Sequence, residues 1–324
     1  MLHVRVISPA ARTDEVLRIT DDHPAIVNVI KIVGAAYAPA GDFVEFDVAR
    51  EAANGVLEQL SALGLKDTGA ITVEQLALSI STASEVAEKV APGDPDDAVV
   101  WHELAARTAT DTRITWGFLA FLALATQLAA IGTLLDQPIL IVGAMVLGPE
   151  FGPVAAICFG LLRRDWLLIG AAVRALVVGF TVAIAITLAC AAVSRLLGWI
   201  TPDMLDNRPL SDFIIHPDKW SFIVAVLAGV AGILSLTAGK SSALIGVFIS
   251  VTTVPAAGNI AVAVALARWH EVYASLVQLG VNLAGMFIAG TLTLLLQRTL
   301  WARYGMRVAP TPPDSPLEAG PAKP

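Results

Sequence analysis

Leu147-Gly148-Pro149-Glu150-Phe151-Gly152-Pro153 lies in the middle of a 24-residue apolar stretch, 139–162. A bilayer core of about 30 Å needs roughly 20 apolar residues of helix, so the stretch is long enough to cross one. Its centre is unsuited to a plain helix. Two prolines remove amide hydrogens and disrupt the helical ladder, which frees carbonyls at mid-membrane depth. Irregular backbone there is tolerated only where it is buried in protein or lines a cavity. One carboxylate, Glu150, sits inside the break. A straight span of that length is about 36 Å long, too long for a glutamate stem to reach the interface. Glu150 must therefore be satisfied internally, as part of a solute or ion site or as a neutral side chain capping freed amides.

Outward from this motif, six stretches are long and apolar enough to span: 114–135, 139–162, 175–196, 220–237, 242–267 and 272–296. Trp116, Trp166, Trp199, Trp220, Trp269 and Trp301 flank them, as amphipathic rings at the headgroup level should. With the N terminus inside, nine Lys/Arg fall near the inner ends of the spans and four near the outer ends, so both termini are expected on the cytoplasmic side. Landmarks recur about 103 positions apart, Trp116 with Trp220, Pro153 with Pro255, Trp166 with Trp269. A duplicated three-helix unit would enter the bilayer in opposite senses, an inverted 3+3 repeat. The fifth stretch is broken where the second is, at 250–259, SVTTVPAAGN. Interrupted segments at corresponding places in two halves point to a transport site. Glu150, with Pro149, Gly152 and Pro153, and Thr252, Thr253, Pro255 and Asn259 form the candidate transport or ion site, with Arg174 and Lys240 as candidate counter-ions. For any single polar residue, bonding between helices is the competing reading.

Residues 1–113 carry 9 Lys+Arg against 18 Asp+Glu, whereas residues 114–324 carry 12 against 10. The acidic part reads as strand 2–7, helix 13–21, an apolar run 25–33, a turn at 39–41, strand 42–48, helix 51–63 and strand 70–78. That is the βαββαβ ferredoxin-like order, shared with ACT-like ligand sensors and with domains that bind nothing. The expected organisation is a soluble domain over 1–79, a helical linker over 80–113, a transmembrane domain over 114–297, and a tail over 298–324, disordered from about 309. The fold class is thus an α-helical polytopic membrane protein of about six spans with an N-terminal α+β domain.

Over the whole chain 56% of residues are hydrophobic and 15% charged, with a mean hydropathy of +0.71, which excludes a purely soluble globule. No basic stripe exists to neutralise phosphates, so nucleic acid is not an expected partner. Lipid, a small solute or ion, and a second copy of the chain are the partners considered. Phosphate-loop, GxGxxG and HExxH patterns are absent, and no enzyme activity, metal or cofactor is expected. Cys158 and Cys190 lie in apolar runs and read as packing residues.

The run 127–153, QLAAIGTLLDQPILIVGAMVLGPEFGP, resembles the bacterial membrane-protein family catalogued as domain of unknown function 389, and 239–246, GKSSALIG, and 282–285, NLAG, are similar to it too. The resemblance covers about 80–297. It implies a multi-span inner-membrane protein with a cytosolic extension, and brings no substrate, catalytic residue or cofactor. The functional expectation is a passive or ion-coupled transporter or channel whose cytosolic domain regulates it. The competing class is a membrane sensor or scaffold whose cytosolic domain binds a ligand or partner.

Overall fold

The computed structural model describes residues 1–91, 98–206, 208–211, 219–238 and 253–304, with side chains as far as 300. These residues divide into two compact units, residues 1–102 with 298–304, and residues 103–297, so that the last residues of the final helix are grouped with the first unit.

The first unit carries β1 (Leu2–Ser8), α1 (Thr13–Asp21), β2 (Ile26–Tyr37), β3 (Ala40–Val48), α2 (Ala53–Ala62), α3 (Leu65–Thr68), β4 (Ala70–Gln75) and α4 (Thr82–Val90). The strands form one antiparallel sheet in the order β2-β3-β1-β4, which the βαββαβ reading requires. Alternation sets the faces. Leu2, Val4 and Val6 of β1 and Val44, Phe46 and Val48 of β3 are buried against Val16 of α1 and Val56, Leu57 and Leu60 of α2. Register shifts bend β2 on either side of Ile30 and Ile32, at Asn28 and Gly34, both of which have positive φ. Gly34 suits that conformation, and its amide donates to Asp42 Oδ1 at 2.8 Å while the Thr13 hydroxyl donates to Oδ2 at 2.7 Å.

Residues 98–101 are held by this unit. Val100 joins the core of this unit, Arg50 donates to the Ala98 carbonyl, and Asn54 bonds the carbonyl of Val99 and the amide of Trp101. By contacts the first unit runs on to His102, and Arg50 and Asn54, just before and within the first turn of α2, hold residues 98–101 through their backbone.

The second unit contains most of α5 (Trp101–Asp111), then α6 (Trp116–Leu134), α7 (Pro138–Leu147), α8 (Phe151–Arg163), α9 (Trp166–Leu196), α10 (Lys219–Thr237), α11 (Thr253–Ala265) and α12 (Trp269–Tyr304). Four of these, α6, α9, α10 and α12, are long and apolar enough to cross a membrane. A fifth span is made if α7 and α8, bent by 55°, count as one. The second expected stretch is thus a broken helix. The residue before a proline is pushed out of the α region, and Gly148 duly ends α7 at φ −68°, ψ 118°. Much of the fifth expected stretch, Thr252 included, lies outside the described residues, as does Lys240 before it; α11 is the described remainder of that stretch.

Element boundaries recur at a nearly constant offset. The 19-residue α6 starts at Trp116 and the 19-residue α10 at Lys219, 103 positions on. The 13-residue α8 and α11 are offset by 102, with Pro153 and Pro255 third in each. Their C-terminal turns match as well. Arg164 and Ala267 both have positive φ, and Asp165 N–H donates to the Gly160 carbonyl at 2.9 Å as Arg268 N–H does to the Ala263 carbonyl at 2.8 Å. Trp166 and Trp269 then open α9 and α12.

Small residues let these helices approach closely, as expected where hydrocarbon supplies no hydrophobic drive between spans. A Cβ on Gly258 of α11 would lie 2.8 Å from the Ala130 amide nitrogen and 2.9 Å from the Thr126 carbonyl of α6. Backbone cannot move aside as a side chain can. Gly258→Ala should therefore destabilise the membrane unit by about 1–3 kcal/mol through overpacking, whereas Gly170→Ala, with nothing within 4 Å, should not. Thermal unfolding in detergent reads the difference.

The Asp42 carboxyl gives a second test. The Gly34 amide and the Thr13 hydroxyl hold it below its ordinary 3.8. A carboxylate lowered on folding contributes stability that is complete above its unfolded value and is lost as the pH falls through the folded one. Protease resistance of the first unit in the whole protein should thus fall below about pH 4. Asp42→Asn should flatten that fall.

Candidate functional site

Glu150 is the residue at the start of α8, one position after Pro149. The side chain has no solvent exposure. Pro153 occupies the third position of α8, where the missing amide hydrogen has no intrahelical partner to lose. The first-turn amides of a helix carry partial positive charge, so a carboxylate at this place is favoured by about 0.3–1 kcal/mol at exposed sites and up to about 2 kcal/mol when partly buried. The Thr253 hydroxyl, at the start of α11, donates to Glu150 Oε1 at 2.7 Å. Thr253 is as buried as Glu150. The two partners are 103 positions apart, the same offset that relates the surrounding elements.

Of the other expected residues, Pro153 and Pro255 are buried in the same turns as this pair, and Pro149 and Gly152 are partly buried. Thr252 and Lys240 lie outside the described residues. Arg174 is exposed on α9, and no ion pair joins it to Glu150 among the described residues. A side chain at Gly152 would run into Asp111 of α5, with its Cβ 2.7 Å from that of Asp111. Burial raises the Asp111 carboxyl and the Arg107 charge opposes the rise.

Asn259 departs most from expectation. It belongs to a separate buried cluster two turns along α11. Its Oδ1 accepts from Arg208 Nη1 at 2.8 Å and its Nδ2 donates to Ser275 Oγ at 2.9 Å. Arg208 also forms an ion pair with Glu271 and donates to the Leu205 carbonyl at 2.9 Å. Both charged side chains are nearly inaccessible, at 2% and 11% exposure, so their desolvation is offset by these bonds. Beside them Asp136 accepts from the Leu210 amide and from both the amide and hydroxyl of Ser211. Desolvation pushes the Asp136 carboxyl up most strongly of any single influence. The Ser211 and Leu210 donors and the Arg208 charge outweigh it together and hold the group below its usual range.

One face of α12 is polar. Glu271, Ser275, Gln278 and Asn282 recur at i, i+4, i+7 and i+11 on α12, and all four are buried. They mark one face over about 16 Å at 1.5 Å per residue, half the thickness of a hydrocarbon core. Asn259 pairs with the first part of this stripe. Gln278 Oε1 is buried without a hydrogen-bond partner among the described residues.

Arg208, Glu271, Ser275 and Asp136 were not among the expected site residues. Arg208 read as one more outer cation, and Glu271 lies one residue before the sixth expected stretch. The spacing of Glu271, Ser275, Gln278 and Asn282 was the available signal. The Cys190 thiol is exposed, and its expected packing role is corrected; only Cys158 is buried.

Removing one member of a buried ion pair strands the other. Arg208→Met should destabilise the protein by about 3–5 kcal/mol, while pairing it with Glu271→Leu should recover much of that loss. Thermal melts of the two variants decide between a structural pair and independent contributions.

No solved structure matches the chain. An uncharacterized protein of Methanocaldococcus jannaschii is 29% identical over 137 residues, 42% of this chain. The aligned part is 40% of that relative, so the chain spans well under half the length of the protein it matches. Residues 145–288 match the family model described as domain of unknown function (DUF389), a stretch that holds Glu150, Thr253, Asn259 and Glu271. The similarity to that family thus lies in the central region, from the end of α7 into α12.

Proposed function

We propose that this membrane protein passes a small solute or ion, as a channel or a passive or ion-coupled carrier, through a site centred on Glu150 and Thr253. The observation that carries the reading is a fully buried carboxylate at the break between α7 and α8, bonded by the first described residue of α11. An intramembrane ionisable group facing the interior of a helix bundle is a functional site by default, because its burial is costly and packing alone gives no return. The buried stripe on α12 supports the reading from a second direction, since it carries oxygen and amide groups over about half a membrane thickness inside the bundle.

In the same reading the halves 114–197 and 220–297 are inverted copies that share the site. Support comes from the offset of 102–103 in helix starts, helix lengths and C-terminal turns. Both termini are placed on the cytoplasmic side by nine inner against four outer basic residues. The first unit is assigned a regulatory role on the ACT-like order of its elements. A reading as sensor or scaffold finds support in β2, whose Ile30, Ile32, Val33 and Tyr37 are exposed on an edge strand.

Flux in reconstituted vesicles, after an unbiased solute screen, separates the two. The transport reading expects wild-type flux and its loss or uncoupling in Glu150→Gln with folding retained. Absence of flux for any solute favours the sensor, and unchanged flux with unchanged pH dependence in the variant removes Glu150 from the mechanism. For topology, reporters fused at the C terminus and within 201–217 should report opposite sides of the membrane; one shared side would overturn the six-span inverted arrangement.

A further inference from the structure

A second polar site lies away from Glu150, in a cleft of about 110 Å³ between α6 and α9. Gln127 of α6 and Thr187, Cys190 and Ser194 of α9 line it, with Val262 of α11 behind and Ile200 at one end. The spacing of 187, 190 and 194 puts the three α9 groups on one helical face. Their donor and acceptor capacity is unevenly used. Thr126, Thr133, Thr237, Thr293 and Ser194 each donate to the carbonyl four residues earlier, the usual way for a hydroxyl to be satisfied inside a helix. Thr187 does not. Its hydroxyl is buried, at 2% exposure, and has no hydrogen-bond partner among the described residues. Across the cleft, the Gln127 amide has only the Cys190 sulfur, a weak acceptor, at 3.6 Å.

The lining has no charge, so a charged guest would be desolvated without compensation and a neutral one is selected. The surroundings set the rest of its chemistry. Ile131, which lines the cleft, is exposed, as are Leu124 three residues before Gln127 and Ile186 and Val193 on either side of Cys190 in the sequence of α9, apolar side chains suited to hydrocarbon. A guest entering there needs an apolar body to travel in lipid and a single polar end to meet Thr187 and Gln127. We infer that this cleft binds the hydroxyl end of an uncharged amphiphile, with the hydroxyl bonded between Thr187 Oγ1 and the Gln127 amide and the apolar body lying along the groove between α6 and α9.

Cys190 serves as the reporter, being exposed at the cleft while Cys158 is buried. The full-length protein in phosphatidylcholine nanodiscs is alkylated with N-ethylmaleimide and followed by intact mass, with 1-octanol, n-octane or octylammonium added. Only 1-octanol should slow the modification of Cys190, and saturably. Thr187→Val keeps the shape and removes the hydroxyl, so its half-protecting octanol concentration should rise about fivefold, the equivalent of one net hydrogen bond. Gln127→Leu should act in the same direction. Discs doped with diacylglycerol identify the source of the hydroxyl. Protection already present there marks a lipid occupant, and protection by octanol alone marks a free alcohol; either supports the site. Equal slowing by octane, no protection by any additive, or wild-type response in both Thr187→Val and Gln127→Leu overturns it.

Discussion

A carboxylate buried in the middle of an apolar helix bundle has to be satisfied by the protein around it, and the second unit is arranged about that requirement. Glu150 is placed at a helix start because Gly148 and Pro149 end α7, and the amides of the new helix are then available to a negative charge. The Thr253 hydroxyl completes the arrangement from α11. That bond needs α11 in the interior, and α11 is buried over nearly its whole length, with Gly258 seated against the α6 backbone. One break in one helix thus explains both the bend of 55° and the burial of a helix too short to span.

A second polar cluster at one end of α11 has a different character. In the Glu150 pair a carboxylate meets a hydroxyl, whereas Arg208 and Glu271 form an ion pair further bonded through Asn259. Charges held this way lock a geometry and have little left to offer a solute. Arg208 and the Ser211 and Leu210 groups bonded to Asp136 tie residues 208–211 to the turn between α6 and α7, to α11 and to α12. The buried stripe on α12 begins at this cluster with Glu271 and Ser275 and runs on through Gln278 and Asn282.

Much of this was legible in the residues. Alternation in Val4, Val6, Val44 and Phe46 located the strands and their inward face, and the proline and glycine pattern located the break and its carboxylate. Repeated landmarks anticipated the offset of element boundaries, although they could not say which residue pairs with Glu150. Linear patterns failed where the partner was backbone or was remote in sequence. Arg50 and Asn54 hold residues 98–101 through carbonyls and an amide, which no side-chain pattern encodes. Arg208 lies in a polar segment and Glu271 at a helix edge, so hydropathy placed both in water. Only folding brings them onto Asn259, 51 and 12 positions away.

The central claim is that Glu150 belongs to a site reached by water or protons, and infrared spectroscopy of its carboxyl group tests this most directly. The Glu150 band is assigned in reconstituted full-length protein by subtraction of the Glu150→Gln spectrum, and the protein is transferred from H₂O to D₂O. A site on a pathway predicts that the band shifts or changes its protonated fraction within the time of buffer exchange and follows bulk pH. A Glu150 band insensitive to both, in protein whose backbone amides exchange normally outside the spans, would show a sealed structural cap and contradict the account.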